Sequence, residues 1–253
     1  MNLVVAMKQI PDLQQIRFSN RRPVLADVPK SFGNIDKNAL EAAVLIKESY
    51  GDGKVTVVSA GNEELEDTIK EALAAGADEA FLITDDNALD DADSSIVAQV
   101  LTEAIKQLED VDLLLFGEGS GDNYSGQMGP RVAKLLDLPM VGYASAIEIK
   151  GDTAVVVRTL EDVEEVVEVS LPAVITVQSG INEPRIPSVT QILKAGRKPK
   201  TVQDLEDLDL GSDHKNQVVT IDILAPESNR KQIKVNNASQ LLDALKNENL
   251  IGG

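Results

Sequence analysis

Four short apolar runs, each followed by an amphipathic stretch, occupy the first 137 residues, and this alternation restricts the fold more than any other feature of the chain. The runs fall at residues 3–7, 54–59, 79–84 and 111–116. The stretches between them read as helices. Leu40, Ala43, Val44 and Lys47 form one stripe of a helix opened by Asp36 and ending near Ser49. Asn62 caps a second helix over 63–75, and Gly76 ends it. Asp93 or Ser94 opens a third that ends near Leu108, and a fourth covers 127–137. Caps of this type satisfy N–H groups that lack a helical acceptor, and glycine ends a helix in the left-handed region. Continuous apolar runs joined by helices predict a parallel sheet covered on both faces.

The pattern changes near residue 140. Runs at 144–149, 153–159 and 163–169 are separated by Lys150-Gly-Asp152 and Leu160-Glu-Asp162, which predicts an antiparallel meander appended to the parallel sheet. Residues 171–178 return as a buried strand. Residues 13–35 show no periodicity and read as a long excursion. Beyond Gly180 the chain no longer looks able to bury itself. Asn182-Glu-Pro-Arg-Ile-Pro187 is a stiff loop, and Ser188 caps a short helix through Ala195, ended by Gly196. Residues 197–217 read as a polar, acidic linker, 218–224 as an isolated strand, and 239–247 as a helix capped by Ser239. The expected division is a nucleotide-binding α/β domain over 1–189 and an arm over 190–253 that docks on another chain.

Composition removes several function classes. The formal net charge is −18, which repels nucleic acid and anionic lipid. There is no cysteine, so disulfides, thiolate catalysis and cysteine-ligated zinc or iron–sulfur sites are excluded. No apolar run approaches the ~20 residues of a membrane span. The N-terminus lacks a basic region before its apolar run, so no signal peptide is expected and a cytoplasmic protein is.

The segment Gly117-Glu-Gly-Ser-Gly-Asp-Asn-Tyr-Ser-Gly-Gln-Met-Gly129 lies between a predicted strand and a predicted helix. Strand, glycine turn and helix start present free N–H groups to a phosphate. The spacing is neither the dinucleotide fingerprint nor a Walker loop. In a parallel sheet the carboxyl ends of the strands share one edge, so Ala6-Met-Lys8, Ser59-Ala-Gly61 and this turn converge there. Asp122 then suits a ribose hydroxyl, and the N–H groups of 126–129 suit a phosphate.

Other features read as structural. The acidic run 85–93 lacks the glycine and terminal glutamate of a calcium loop. His214, the only histidine, lies in the polar linker and cannot assemble a zinc site or a catalytic triad. Tyr124 suits ring stacking and an exposed turn equally.

The chain resembles the β subunit of electron transfer flavoproteins. The resemblance runs through Met1-Asn-Leu-Val-Val-Ala-Met-Lys-Gln-Ile-Pro-Asp12, Asn38-Ala-Leu-Glu-Ala-Ala43 and Ala72-Leu-Ala-Ala-Gly-Ala-Asp78. It continues through Asp122, Gln127-x-Gly129, Leu171-Pro-Ala-Val-Ile-Thr176, Asn182-Glu-Pro-Arg185 and Ile192-Leu-Lys-Ala195. It implies a Rossmann-like sheet of the adenine nucleotide α-hydrolase type with an extended C-terminal arm. It also implies an α-subunit partner that carries the electron-transferring FAD, with dehydrogenases or a quinone oxidoreductase as exchange partners. Matched to the family motif, Ala6, Lys8, Asn38, Ser59, Gly61, Asp122, Gly126, Gln127, Met128 and Gly129 line the nucleotide site, and the backbone of Val5 and Ala6 pairs an adenine edge.

Members that hold AMP in this subunit usually carry Asn-Gln-Thr-Gly at the turn. Gly126-Gln-Met-Gly-Pro130 is closer to the Ala-Gln-Val-Gly-Pro of flavin-bifurcating members. The resemblance therefore implies a second FAD here, with AMP as the alternative and NADH as donor. Arg185, Ile186 and Val189 fall in the family's partner-recognition loop, Val189 where many members carry Leu. Arg158 and Glu161, in the meander, suit the subunit interface near flavin and a solvent-exposed strand pair equally. The competing reading is a free-standing nucleotide-binding regulator of the universal-stress type, which leaves the meander, the Asn-Glu-Pro-Arg loop and the arm unexplained. A small-molecule hydrolase lacks a base or metal site.

Overall fold

A computed structural model describes residues 1–85, 89, 92–210, 216–227 and 230–251. In chain order the elements are β1 (Asn2–Ala6), β2 (Gln9–Pro11), β3 (Arg17–Ser19), β4 (Arg22–Val24), β5 (Lys30–Phe32), α1 (Asn34–Tyr50), β6 (Lys54–Gly61), α2 (Leu65–Ala74), β7 (Glu79–Thr84), α3 (Ser94–Lys106), β8 (Leu113–Gly117) and α4 (Met128–Leu136). There follow β9 (Met140–Lys150), β10 (Thr153–Thr159), β11 (Glu164–Ser170), β12 (Ala173–Val177), α5 (Val189–Ala195), β13 (Lys200–Asp204) and α6 (Ala238–Asn247), with a single 3₁₀ turn at Leu205–Asp207.

The central sheet runs β11-β10-β9-β12-β8-β1-β6-β7-β13 among the described residues. Pairs from β9 to β13 are parallel, and β9, β10 and β11 pair antiparallel. The expected α/β class and the meander are both present. Alternate strand residues divide the core into two layers. Leu3, Val5, Val57, Leu113 and Leu115 pack under α1 and α2 with Leu40, Ala43, Ile69 and Leu73. Val4, Val58, Ile83, Leu114 and Phe116 pack under α3 and α4 with Ala98, Leu101, Ala104 and Val132. The layers are mostly aliphatic, as a chain with 3% aromatic residues requires, with Phe32, Phe81 and Phe116 the buried aromatic rings among the described residues.

After β1 the chain builds β6 and β7 on one side, then crosses back to place β8 on the other. The sheet thus has a topological switch point at β1. Beyond the carboxyl ends of the strands flanking such a point lies a crevice where open α/β sheets bind ligands.

Several predicted elements are corrected. The excursion at 13–35 contains two small antiparallel pairs, β2 with β5 and β3 with β4. Asp36 does not cap α1. Gly33 is the cap, in an extended conformation, and Asp36 is buried inside the first turn. Asp93 does cap α3, accepting from the N–H groups of Ser95 and Ile96, and Ser188 and Gln191 form a reciprocal capping box on α5.

Residues 200–204 are not linker. They form β13, which extends the sheet beside β7. A sequence of Lys-Thr-Val-Gln-Asp has no apolar alternation, and an edge strand exposed on most of its surface needs none. The stretch 218–224 is not a strand. It lies beside the β3–β4 hairpin, where Ala225 N–H donates to the Arg21 carbonyl at 2.7 Å and Arg22 pairs with Asp222 at 2.6 Å. Helix α6 is capped by Asn237, whose Oδ1 accepts from Gln240 N–H at 2.9 Å, rather than by Ser239. Nearly all of this tail is exposed, including Val218, Val219, Ile221, Ile223, Leu241 and Leu242.

Candidate functional site

The crevice at the switch point is organised by a side chain that sequence reasoning assigned to a cap. Asp36 reaches back from the first turn of α1 to the ends of β1 and β8. Its Oδ2 accepts the main-chain N–H of Lys8 at 2.7 Å, and its carboxyl also accepts the N–H of Gly117. A Cβ on Gly117 would stand 2.7 Å from Asp36 Oδ1, so glycine is required where the strand end meets this carboxyl. Burial pushes Asp36 up to about 7, against the lowering effect of the Lys8 N–H and the nearby Lys8 charge. An aspartate at the start of a helix suits a cap and a core carboxyl equally. Only the tertiary packing separates the two.

Lys8 lies at the mouth. Its Nζ donates to Asp122 Oδ2 at 2.6 Å, joining the exit of β1 to the glycine turn after β8. Burial raises the Asp122 carboxyl, but hydrogen bonds from Lys8 and Ser120 outweigh it and hold the group below its ordinary value. Ser120 Oγ also meets Asn123 Oδ1 at 2.8 Å, and Tyr124 N–H donates to the Ser120 carbonyl at 3.1 Å. Tyr124 adopts a positive φ of 47° and rests its ring over Gly119, where a Cβ would come within 2.9 Å. A hydrogen bond to Glu118 pushes the Tyr124 phenol up to about 12. The tyrosine is therefore part of the turn's own framework.

Gly126 takes a left-handed φ of 65° and turns the chain into α4. Gln127 stands at the N-cap of α4, and its Oε1 accepts from Arg131 at 2.8 and 3.0 Å and from Ser94 at 3.3 Å. The first N–H groups of α4 lack intrahelical acceptors and form the positive end of the helix dipole. Met128 packs its side chain onto the core beneath α4. The missing Cβ of Gly129 faces the sheet, 2.5 Å from Thr176 Cγ2 and 3.7 Å from Phe116, so this glycine lets α4 approach β12 and β8.

The remaining predicted residues divide. Ala6 is paired on both sides, with Val58 and with Phe116, at the floor of the crevice. Ser59 is fully buried and donates its hydroxyl to the Met7 carbonyl at 2.6 Å, fixing the end of β1. Gly61 ends β6, with its carbonyl accepting from Asp85 N–H at 3.1 Å. Asn38 is not brought to this cluster. It is buried against the Asn182 loop, donating to the Asn182 carbonyl at 2.8 Å and accepting at its own carbonyl from Asn182 Nδ2 at 2.9 Å.

Arg185 does not reach outward. It donates to Glu41 at 2.7 and 2.9 Å and to Glu48 at 2.8 and 3.2 Å, both on α1. Beside it Ile186 is 93% exposed and Val189 75% exposed. Arg158, on β10, pairs with Glu165 at 3.4 Å, and its buried Nε has no hydrogen-bond partner. His214 and residues 86–88, 90 and 91 of the acidic run lie outside the described residues.

The donor set fits a phosphate-bearing ligand with a hydroxyl beside it. A lysine ammonium, a left-handed glycine and a helix start form an anion cradle, and Asp122 supplies a carboxylate acceptor at its rim. The space at Gly126 is nearly open, with only the Glu118 carbonyl, at 3.4 Å, within 4 Å of its Cβ position.

Comparison with known proteins identifies the family. Residues 24–208 match the family described as electron transfer flavoprotein domain. The chain is 40% identical over 212 residues to electron transfer flavoprotein subunit beta of Thermoanaerobacterium thermosaccharolyticum, covering 81% of this chain and 80% of that one. It is 38% identical over 228 residues to the same subunit of Bacillus subtilis, covering 89% and 88%. It is 35% identical over 212 residues to the caffeyl-CoA reductase-Etf complex subunit CarD of Acetobacterium woodii, covering 83% and 80%. A chain matched over this much of its length, with the switch-point sheet and the glycine turn in place, belongs to the electron transfer flavoprotein family.

Proposed function

We propose that this chain is the β subunit of a heterodimeric electron transfer flavoprotein, holding an adenine nucleotide at the β1–β8 crevice and relaying electrons between dehydrogenases and acceptors in the cytoplasm. The observation that carries this reading is the meeting of Lys8, Asp122 and the start of α4 at the switch point, in a chain of this family. Lys8 and the N–H groups at 127–129 would hold the phosphates. Asp122 would orient a ribose hydroxyl, and the main chain at Val5 and Ala6 would meet the adenine edge. Asp36 and Ser59 act behind that surface, fixing the strand ends that present it.

The nucleotide we favour is FAD. Gly126-Gln-Met-Gly-Pro130 carries no hydroxyl or short amide that would close on a single phosphate. Pro130, in the first turn of α4, fixes φ without removing a donor the helix needs. AMP is the alternative ligand. A flavin here would supply two-electron exchange with NADH and a route to acceptors of different potential. A relative whose name places it in a reductase–Etf complex supports that direction. The exposed apolar tail supports docking of the arm on an α subunit that carries the second flavin. The segment from Arg185 to Val189 would meet the dehydrogenase. Family membership favours this reading over a free-standing universal-stress-type regulator.

The test is to co-express the chain with a flavin-binding α subunit, purify the pair, denature it and identify the released nucleotides by absorbance and mass. Two FAD per pair, with flavin bleaching on addition of NADH, is the expected result. One FAD and one AMP, with no response to NADH, restores the simple electron-carrier reading. No nucleotide assignable to this chain overturns the site.

A further inference from the structure

The segment between Arg185 and Lys198 is exposed, apolar and short. Ile186, Val189, Ile192 and Leu193 all face solvent, and only Ala195 of α5 is fully buried. A seven-residue helix with one fully buried side chain gains little from packing alone, even where it lies against α2. The structure adds a cation at each end.

At the front, Arg185 forms a forked pair with Glu41 and a second with Glu48, and its own N–H donates to Glu41 Oε2 at 3.2 Å. Glu41 is buried, and Arg185 pairs with it at 2.7 Å. Pro184 and Pro187 restrict the backbone on either side of Arg185 and Ile186. At the back, Lys198 closes the carboxyl end of α2, donating to the carbonyls of Leu73 at 2.8 Å and Ala77 at 2.5 Å. Helix α5 lies against α2 between these points. Arg185 is thus tied to α1 and Lys198 to α2, the two helices that cover one face of the sheet.

We propose that Arg185 and Lys198 are positioning residues that clamp the 186–193 segment to α1 and α2 in one presented conformation for the protein that exchanges electrons with the flavin. This rests on the reading of that segment as the recognition element. The clamp acts on binding, not on the nucleotide. A loose segment must be ordered at each encounter, and that cost lowers affinity without changing the electron step.

The test uses the assembled, nucleotide-loaded αβ pair. Glu48→Gln weakens the front clamp at an exposed position that the fold tolerates. Lys198→Met removes the rear bonds and keeps the apolar stem. Each is assayed for electron transfer against increasing concentration of the dehydrogenase partner, for nucleotide content, and for deuterium uptake by amides 188–195. The expected result is faster uptake and a half-saturating partner concentration raised about ten-fold for Lys198→Met, equivalent to about 1.4 kcal/mol of binding. Glu48→Gln should shift it less. Saturated turnover and nucleotide content should stay as in the parent. Unchanged uptake, or faster uptake with unchanged half-saturation, overturns the clamp. Ile186→Ser and Val189→Ser separate the two levels of the argument. If these leave half-saturation unchanged, the segment is not the recognition element and the clamp falls with it. If they raise it while Lys198→Met and Glu48→Gln do not, only the clamp is wrong.

Discussion

Asp36 accepts the main-chain N–H of Lys8 at 2.7 Å, so a carboxyl on the first turn of α1 sets the height of the residue that guards the crevice. The bond is made by a group lifted by burial to about 7 from an ordinary 3.8. In the folded protein Asp36 keeps its proton to higher pH than in the unfolded chain. Its contribution to stability is therefore fully present below the unfolded value and is lost as pH rises through about 7. Asp36→Asn is neutral throughout and lacks this dependence. The melting temperature of the parent minus that of Asp36→Asn should fall from about pH 4 to pH 7 and level off above it. A difference that stays flat would show that the carboxyl titrates as an ordinary exposed aspartate.

Gly129 separates a packing role from a ligand role. A Cβ there would meet Thr176 Cγ2 at 2.5 Å, a contact that cannot persist without a shift of α4 or β12. Gly129→Ala should cost about 1–3 kcal/mol of stability, the usual cost of overpacking. Thr176→Ser removes the offending methyl and keeps the hydroxyl that accepts Tyr143 N–H at 3.2 Å. The double variant should recover most of the loss in urea unfolding. If Gly129→Ala unfolds like the parent and instead loses nucleotide, the glycine faces the ligand after all.

The parallel core was legible because each of its strands is a continuous apolar run and each helix carries a stripe. Asp93, Ser188 and the meander turns were legible for the same local reason. What was not legible depends on distant partners. Lys200–Asp204 becomes strand only because the open edge of β7 offers it a hydrogen-bonding row. Val218–Leu224 has the composition of a strand but lies beside the β3–β4 hairpin without joining a ladder. Asp36 and Arg185 are local in sequence to a helix start and a proline loop, yet their partners lie 28 and 144 residues away. The convergence of Lys8 with Asp122 followed from topology alone, since strand order in a parallel sheet determines which loops meet.

The edge strand changes where the arm begins. Residues 195–208 are held to the body by Ala195, by Lys198 and by Leu208, which is buried under the sheet. A chain ending at residue 210 should keep the sheet and melt close to the full-length protein. A chain ending at residue 189 should lose β13, expose the edge of β7 and aggregate or melt far lower. Neither should copurify with an α subunit if 216–251 supplies the docking contacts. Retention of the α subunit by the 210-residue chain in equal ratio would remove the arm from the interface.

Lys8 makes the sharpest test of the crevice. Its ion pair with Asp122 has both side chains partly in water, at 46% and 30% exposure. Exposed pairs of this kind contribute about 0–1 kcal/mol to folding. Lys8→Met should therefore leave the melting temperature almost unchanged. Against a phosphate the same ammonium has a different value, because charge-assisted bonds to a dianionic group are stronger. In the assembled pair, Lys8→Met should weaken retention of the β-subunit nucleotide about ten-fold, or about 1.4 kcal/mol. The residual binding should also depend less on salt. The measurement is equilibrium dialysis of the nucleotide-stripped pair against FAD and, separately, AMP at two ionic strengths. A large fall in melting temperature with unchanged affinity for both nucleotides would make Lys8 a structural residue of the β1 exit and would move the phosphate site away from this crevice.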